Sequence, residues 1–467
     1  MNSKSILPIL LSVSLLAPLS ALAQKDVSLW LTNPDRSALL QLQPAPIPFT
    51  TATTTTQVID VDAAKTYQTI DGFGFALTGG SAQLINHMDP AKRDALLHNL
   101  FTTTGDNIGV SYLRLTIGSS DMNDHVYSYD DLAPGQTDTS LSHFSLDPDE
   151  TDVIPVLKQI LAIDPKIQLL ASPWSAPVWM KTNHRAQGGV LEPKYFQAYA
   201  TYLVKYIQGM KAEGITIDAL TIQNEPLNEK NTPSMLMLES EQDDFIAHDL
   251  GPAFQQAGIK TKILLYDHNL DHPLYPMSIL RDPAAAKYVD GTGFHLYGGT
   301  VDAMTQVHEA FPTKNLYFTE QMVTDRDPNG PINLSKPVAR VVIGATRNWS
   351  KNVLLWNLAA DPNNGPHTSN GGCDSCTGAI TIDGDKVTPN TAYYTLAHAS
   401  KFVPPGSIRI DSNDLDTLPN VAFKTPGGKH ILIVSNITTT TQKFDVRSNG
   451  KVFSATLDAG SVATYIW

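Results

Sequence analysis

Eight apolar runs of strand length recur between residues 69 and 361, and most neighbouring pairs are separated by enough chain for an amphipathic helix. They read TIDGFGFAL, VSYLRLTIG, IQLLASPW, IDALTIQNEP, TKILLYDHN, GTGFHLYGG, NLYFTEQ and NVLLWNLAAD. Strand runs alternating with helical ones predict repeated βα units, and eight of them predict an α/β fold closed into a (β/α)8 TIM barrel. An open doubly wound sheet would carry a Gly-rich phosphate turn after its first strand. GFGFALTGG lacks both G-x-G-x-x-G spacing and a basic partner. The intervening segments read as helices. In DPAKRDALLHNLF, Asp89 is placed to cap and Pro90 to open the first turn, and Phe196, Tyr199, Leu203, Ile207 and Met210 form one stripe closed by Gly214.

Beyond residue 400 the alternation stops. Short β-rich runs, SIRIDS, VAFKT, HILIVSN, QKFDVRS, KVFSATL and SVATYIW, are punctuated by PGGK and SNGK, the pattern of an antiparallel β-sandwich. TQVIDVD, ahead of the barrel, is expected to add an N-terminal strand to it. The Thr-rich FTTATTTTQ after QPAPIP reads as an extended lead-in. The opening residues have one Lys, an apolar run bracketed by Pro8 and Pro18 that is shorter than the ~20 residues needed to span a bilayer, and Ala21-Leu22-Ala23 before Gln24. That is a signal peptide, and no later segment predicts stable membrane insertion. The expected division is a signal peptide over 1–23, a lead-in contributing to the sandwich over 24–66, the barrel over 67–399 and the sandwich over 400–467, in a secreted or periplasmic protein.

Lys plus Arg number 33 against 46 Asp plus Glu, a formal net charge of −13. No cationic field exists to hold nucleic acid or anionic lipid, and a neutral substrate fits better. Cys373 and Cys376, in NGGCDSCTG, could be half a zinc site or a redox motif. Zinc needs four ligands and a redox pair needs a helix N-terminus, so a local disulfide in a Gly- and Ser-rich loop is the better reading for an exported chain.

In a (β/α)8 barrel the chemistry sits at the C-terminal strand ends. Those ends carry Arg114, Trp174, Asn224 with Glu225, Asp267 with His268, His295 with Tyr297, Glu320 and Trp356. Each has an ordinary reading: half-buried aromatics for the tryptophans, a hydrogen-bonded structural histidine for His295, an ion pair with Asp71 or Asp121 for Arg114, a helix cap for Asp267-His268. Their coincidence at one rim favours a site. Glu225 and Glu320 follow the fourth and seventh strands, on opposite sides of the mouth. Glycoside hydrolysis needs such a pair, one carboxyl to protonate the leaving oxygen and one carboxylate to attack the anomeric carbon.

At these residues the chain resembles glycoside hydrolase family 30, which includes glucosylceramidases and β-1,6-glucanases. QTIDGFGFALTGG, SYLRLTIGSSD, SPWSAPVWMKTN, QNEPL, FHLYGG, YFTEQ, WNLAADPNNGPH and ASKFVPPGSIRI carry the likeness. The resemblance implies a retaining double displacement with Glu225 as acid/base and Glu320 as nucleophile. It also implies substrate binding by Asn224 at the sugar 2-OH, Arg114 and Tyr297 around the nucleophile, and Trp174, Trp356 and His295 lining the subsite, with no metal or organic cofactor. Glucosylceramidase-type members are expected to carry an Asp shortly after the GFG strand to grip the terminal glucose, where this chain has Gly79 and Gly80. GFALTGGSAQLI with YDHNLDHP looks more like the bacterial β-1,6-glucanase branch. The expected activity is therefore endo-acting on β-1,6-glucan. An exo-acting β-glucosidase or glucosylceramidase is the nearer alternative, and a non-catalytic glycan-binding protein the alternative of another class; oligomeric state stays open. The Glu225 carboxyl is expected to be pushed up by burial and by Glu320, and Glu320 to be pulled down by Arg114.

Overall fold

The computed structural model describes residues 26–324 and 330–467; the signal-peptide segment 1–23 lies outside the described residues. Eight parallel strands close into a barrel: β1 (Gly72–Leu77), β2 (Tyr112–Ile117), β3 (Gln168–Pro173), β4 (Ala219–Thr221), β5 (Lys262–Asn269), β6 (Val289–His295), β7 (Asn315–Glu320) and β8 (Ser350–Asn357). Each pairs with its neighbours in chain order and β8 returns to β1, with Leu354 opposite Gly74. Tyr112, Leu170, Ala219, Leu264, Tyr317 and Leu354, drawn from six strands, form one buried cluster. Fully burying a leucine here stabilises the fold by roughly 1.5–3 kcal/mol, and the filled interior leaves only the strand ends open for a site.

The helical shell follows the sequence pattern. Asp89 accepts from the backbone N–H groups of Ala91 (3.0 Å) and Lys92 (3.2 Å), capping the helix Pro90–Phe101; such a cap is worth about 1 kcal/mol. Phe196, Tyr199, Leu203, Ile207 and Met210 are all buried on the helix Phe196–Ala212, whose chain turns at Gly214 with φ +83°.

The second unit is a nine-stranded sheet. Val58–Thr69 lies in it between Ile408–Ser412, antiparallel, and Gln442–Ser448, parallel. A second N-terminal strand, Ser28–Thr32, pairs with Val462–Ile466, so part of what reads as an extended lead-in is sheet. The reason is a short alternation: Leu29 and Leu31 pack on the sandwich core while Trp30 meets Phe402 at 5.2 Å between ring centroids. Along His430–Ser435 the same period of two sends Leu432 and Val434 into the sandwich core and Ile431 and Ile433 into the large core that includes the barrel's helical shell. Neither face of this strand is left for solvent.

A small sheet of Ala359–Ala360, Ile380–Asp383 and Lys386–Pro389 follows β8, and the connection between its first two strands carries the Cys373–Cys376 disulfide. Among the described residues no helix is long and apolar enough to cross a membrane.

Candidate active site

Arg114 sits inside β2 rather than at its end, fully enclosed, and organises the barrel mouth. Its guanidinium donates to Glu320 Oε2, to Asn224 Oδ1 at 2.7 Å, to Asp267 Oδ2 at 2.8 Å and to Ser172 Oγ at 3.2 Å. The planar fork suits this task, since a lysine ammonium could not reach four partners in different directions. The sequence-level alternatives are replaced: Asp71, just before β1, pairs with Lys351 (3.3 Å) and Lys262 (3.8 Å), and Asp121 makes no ion pair with Arg114.

Asp267 comes within reach because β5 is bulged. Tyr266 pairs with Gly293 and His268 with Phe294, so Asp267 is the extra residue, and both Tyr266 (φ +70°) and Asp267 (φ +61°) are left-handed. Neighbouring side chains on a regular strand point to opposite faces, whereas a bulge re-aims them. Asp267 thus turns in to Arg114, Thr221 (2.8 Å) and His295 (3.1 Å), while His268 lines the cavity.

β4 ends early, at Thr221, and the chain continues through Glu225 with φ +45°. A non-glycine residue in this region costs of order 1–3 kcal/mol, and such strain gathers at functional sites. It is held by two backbone bonds, Glu225 N–H to Asp267 C=O (3.0 Å) and Asn228 N–H to Glu225 C=O (2.8 Å). The result lifts the carboxyl over the mouth, where Oε2 accepts from the Asn228 amide (2.7 Å) and Oε1 meets His295 Nδ1 (3.1 Å). Opposite, Glu320 Oε1 accepts from the Tyr297 hydroxyl at 2.9 Å; the residue Tyr297 is 43% exposed, yet its hydroxyl oxygen reaches inward and also accepts from Met322 N–H. One oxygen of each glutamate and a His295 nitrogen lie within 4.8 Å of one another. That donor set could in principle hold a cation, but both His295 nitrogens are engaged by carboxylates, Nε2 by Asp267 and Nδ1 by Glu225.

The electrostatics differ from the sequence-level expectation. Burial alone would push the Glu225 carboxyl up, but the hydrogen bond and charge of His295, with His268 and Asn228, hold it at about 2. Burial likewise would lower His295, and the Glu320 and Asp267 charges with the bonds to Asp267 and Glu225 push it up to about 9. For Glu320, burial wins and raises the carboxyl, opposed by His295 and Arg114 and reinforced by Glu225 and Asp267. The proton of the free site therefore rests on His295, between Asp267 and Glu225. No sequence spacing reveals that His295 reaches both.

The glutamates open on a cavity of about 700 Å³ also lined by Asp121, Trp174, Asn224, His268, Tyr297, Trp356 and the disulfide. Trp174 and Trp356 lie 5.3 Å apart between ring centroids, tilted by 31°, with the Arg114 guanidinium 4.8 and 5.8 Å from their rings. Gly79 and Gly80, which stand where a glucosylceramidase-type Asp is expected, are also under a packing constraint. A Cβ at Gly79 would lie 1.9 Å from Asn123 Nδ2 and one at Gly80 2.5 Å from the Met122 carbonyl, so both glycines make room for the loop after β2. That loop delivers Asp121, 5% exposed, with Oδ1 buried and without a partner. Burial, then Glu320 and Glu225, push its carboxyl up to about 8. Its sequence signal, SSD seven residues past Arg114, was legible only as an ion-pair candidate.

The family model for the glycosyl hydrolase family 30 TIM-barrel domain matches residues 70–403. The chain belongs to glycoside hydrolase family 30. It is a glycoside hydrolase, and the family 30 β-sandwich model matches residues 406–465. The family 30 chain is 36% identical over 429 residues to the endo-1,6-beta-D-glucanase of Neurospora crassa, covering 87% of each. To the lysosomal acid glucosylceramidase of Mus musculus it is 30% identical, covering 88% of this chain and 83% of that one. The solved structure of an endo-beta1,6-glucanase superposes on this family 30 fold with a TM-score of 0.86 at 35% identity, covering 95% of this chain and 99% of that one.

Proposed function

We propose that this chain is an exported, retaining glycoside hydrolase that cleaves β-1,6-linked glucan within the chain, with Glu320 as nucleophile and Glu225 as acid/base. The observation that carries the reading is the opposition of the two glutamates, whose oxygens approach within 4.8 Å across one cavity. Retaining enzymes need carboxyls about 5 to 5.5 Å apart, too close for a water to attack between them. The linkage rests on the 34–36% identity to three endo-1,6-beta-D-glucanases.

Glu320 attacks the anomeric carbon while Arg114 and the Tyr297 hydroxyl hold its two oxygens. Glu225 has to be protonated at that moment, and the His295 bond supplies the route. Moving one proton from Nδ1 to Oε1 turns an ion pair into a neutral pair, the form that is favoured when an uncharged sugar displaces water from the cavity. Glu225 then donates that proton to the leaving oxygen. In the second half Glu225, now ionised, takes a proton from water, whose oxygen displaces Glu320 from the anomeric carbon. Asn224 meets the sugar 2-OH, Trp174 and Trp356 present faces to its CH surfaces, and Asp121, which lines the same cavity, turns its carboxyl toward the sugar hydroxyls.

The 30% identity to a glucosylceramidase supports a second reading, exo-action on a β-glucoside. Incubation with linear β-1,6-glucan, β-1,3-glucan and glucosylceramide separates them. Gentio-oligosaccharides from β-1,6-glucan, with the β anomer appearing first by NMR, are expected; glucose alone, released only from glucosylceramide or aryl glucosides, would overturn the endo assignment, and initial α product the retaining one.

A further inference from the structure

His268 is the one histidine of the mouth that the displacement above does not use. The bulge at Asp267 turns it into the cavity, where the residue is 6% exposed and stacks on Tyr266 with 5.8 Å between ring centroids. Its Nδ1 lies 3.2 Å from the backbone nitrogen of Leu227. A backbone N–H only donates, so Nδ1 carries no proton, and the hydrogen of the neutral ring is fixed on Nε2. Among the described residues Nε2 meets no acceptor, and it is not one of the enclosed unpaired atoms. Burial lowers this imidazole to about 4 against the pull of Glu225, so the ring is neutral and the tautomer persists across the working range. The cavity therefore contains an uncharged N–H donor with nothing among the described residues to receive it.

Its position decides what receives it. Trp174, Trp356 and Asp121 come from β3, β8 and the loop after β2, and they surround the sugar that Glu320 attacks. His268 and Asn269 end β5, and Asn228 to Asn231 follow β4, so this half of the cavity lies on the far flank of Glu225. Glu225 protonates the leaving oxygen, so the sugar on that flank is the leaving one. In a β-1,6 linkage the leaving oxygen sits on an exocyclic carbon, and the extra rotatable bond lets the leaving ring swing. A fixed donor beyond the acid removes that freedom.

We infer that His268 binds the leaving glucose unit, its Nε2–H donating to a ring or hydroxyl oxygen of that sugar, and so forms the first subsite on the leaving-group side. The inference rests on the glycosidase reading of the two glutamates and deepens it.

The test compares wild type with His268→Phe, which keeps a flat ring without the donor, and His268→Gln, which restores an N–H. Hydrolysis of gentiobiose is measured against an aryl β-glucoside, whose leaving group offers no sugar oxygens, and in a second assay free glucose is added to intercept the glycosyl-enzyme. A neutral hydrogen bond is worth about 0.5–1.5 kcal/mol, which corresponds to about 2- to 12-fold. In His268→Phe the gentiobiose-to-aryl ratio of kcat/KM should fall by that factor, glucose capture relative to water should fall with it, and His268→Gln should recover part of both. An unchanged ratio and unchanged capture in His268→Phe would overturn the inference. Should that variant fail to fold, capture by singly deoxygenated glucoses on the wild type decides: loss at one position supports the donor, equal capture of all refutes it. A wild type that turns over the aryl glucoside but releases nothing from gentiobiose or from linear β-1,6-glucan would refute the β-1,6 assignment alone, because the capture assay still reads His268.

Discussion

Glu225 and His295 share a 3.1 Å hydrogen bond beneath the cavity, and Asp267 holds the other ring nitrogen of the imidazole at the same distance. This relation sets a pH window. His295, raised from 6.5 to about 9, contributes stability that is complete below about pH 6.5 and is lost as pH rises through 9. Glu225, lowered from 4.5 to about 2, contributes stability that is complete above about pH 4.5 and is lost as pH falls through 2. Between about 4.5 and 6.5 both are at full strength. Thermal melts should therefore show the midpoint declining by several degrees from pH 6.5 to 9, and His295→Gln should lower the midpoint at pH 6 and flatten that decline. Activity should fall over the same alkaline range, because the proton that Glu225 needs is leaving the pair.

The two glutamates should fail differently. Glu320→Gln is nearly isosteric, keeps a partner for Tyr297, and should reduce turnover by several orders of magnitude on every substrate while the melting curve persists. Glu225→Ala should spare aryl glucosides with good leaving groups, and azide should restore turnover by yielding a β-glucosyl azide. Steady-state kinetics with a leaving-group series, plus NMR of the azide product, reads both outcomes; equal loss across the series in Glu225→Ala would remove it from the acid/base role.

The barrel was legible because its strands are apolar runs bounded by polar ends, a pattern that survives without coordinates. Arg114, Trp174, Asn224, Glu225, His295, Tyr297, Glu320 and Trp356 could be gathered at one rim on that basis; Trp174, Asn224, Glu225, Tyr297, Glu320 and Trp356 line one cavity, while Arg114 and His295 lie buried beneath it, bonded to Glu320 and Glu225. What the pattern could not convey was inside the loops and bulges. Asp267 reads as one more strand-end acid, yet a one-residue bulge makes it the partner of both Arg114 and His295. Asp121 reads only as a possible ion-pair partner of Arg114, because a loop's path after β2 has no periodicity. The inverted expectation for Glu225 has the same origin: a pKa depends on which nitrogen lies 3.1 Å away, and spacing along the chain does not encode that distance.

Arg114 should be the least replaceable residue of the mouth. Its removal leaves Asp267, with no exposure, and Glu320 without their shared cation, and breaking a buried pair in this way costs about 3–5 kcal/mol. Arg114→Met should therefore lower the urea midpoint strongly. Arg114→Lys keeps the charge but not the fork, and should lose about 1–2 kcal/mol for the unmade bonds. Equilibrium unfolding in urea ranks the three proteins, and a lysine variant as stable as wild type would count against the fork as the organising element.

The Cys373–Cys376 disulfide should matter more for binding than for folding. It closes a ring with a sequence separation of only 3, for which the chain-entropy gain is at most about 2 kcal/mol. Yet Cys376 packs in the same cluster as Trp174 and Trp356, and both cysteines line the cavity beside the two glutamates. Opening the ring lets the 371–376 segment drift from the tryptophan pair, widening the wall against which a sugar is held. Cys373→Ser with Cys376→Ser should thus raise KM for β-1,6-linked oligosaccharides several-fold while shifting the melting temperature by only a few degrees, and the wild type in reductant should behave alike. A large loss of melting temperature with KM unchanged would reverse the assignment, placing the bridge in the fold's stability rather than in the wall of the sugar site.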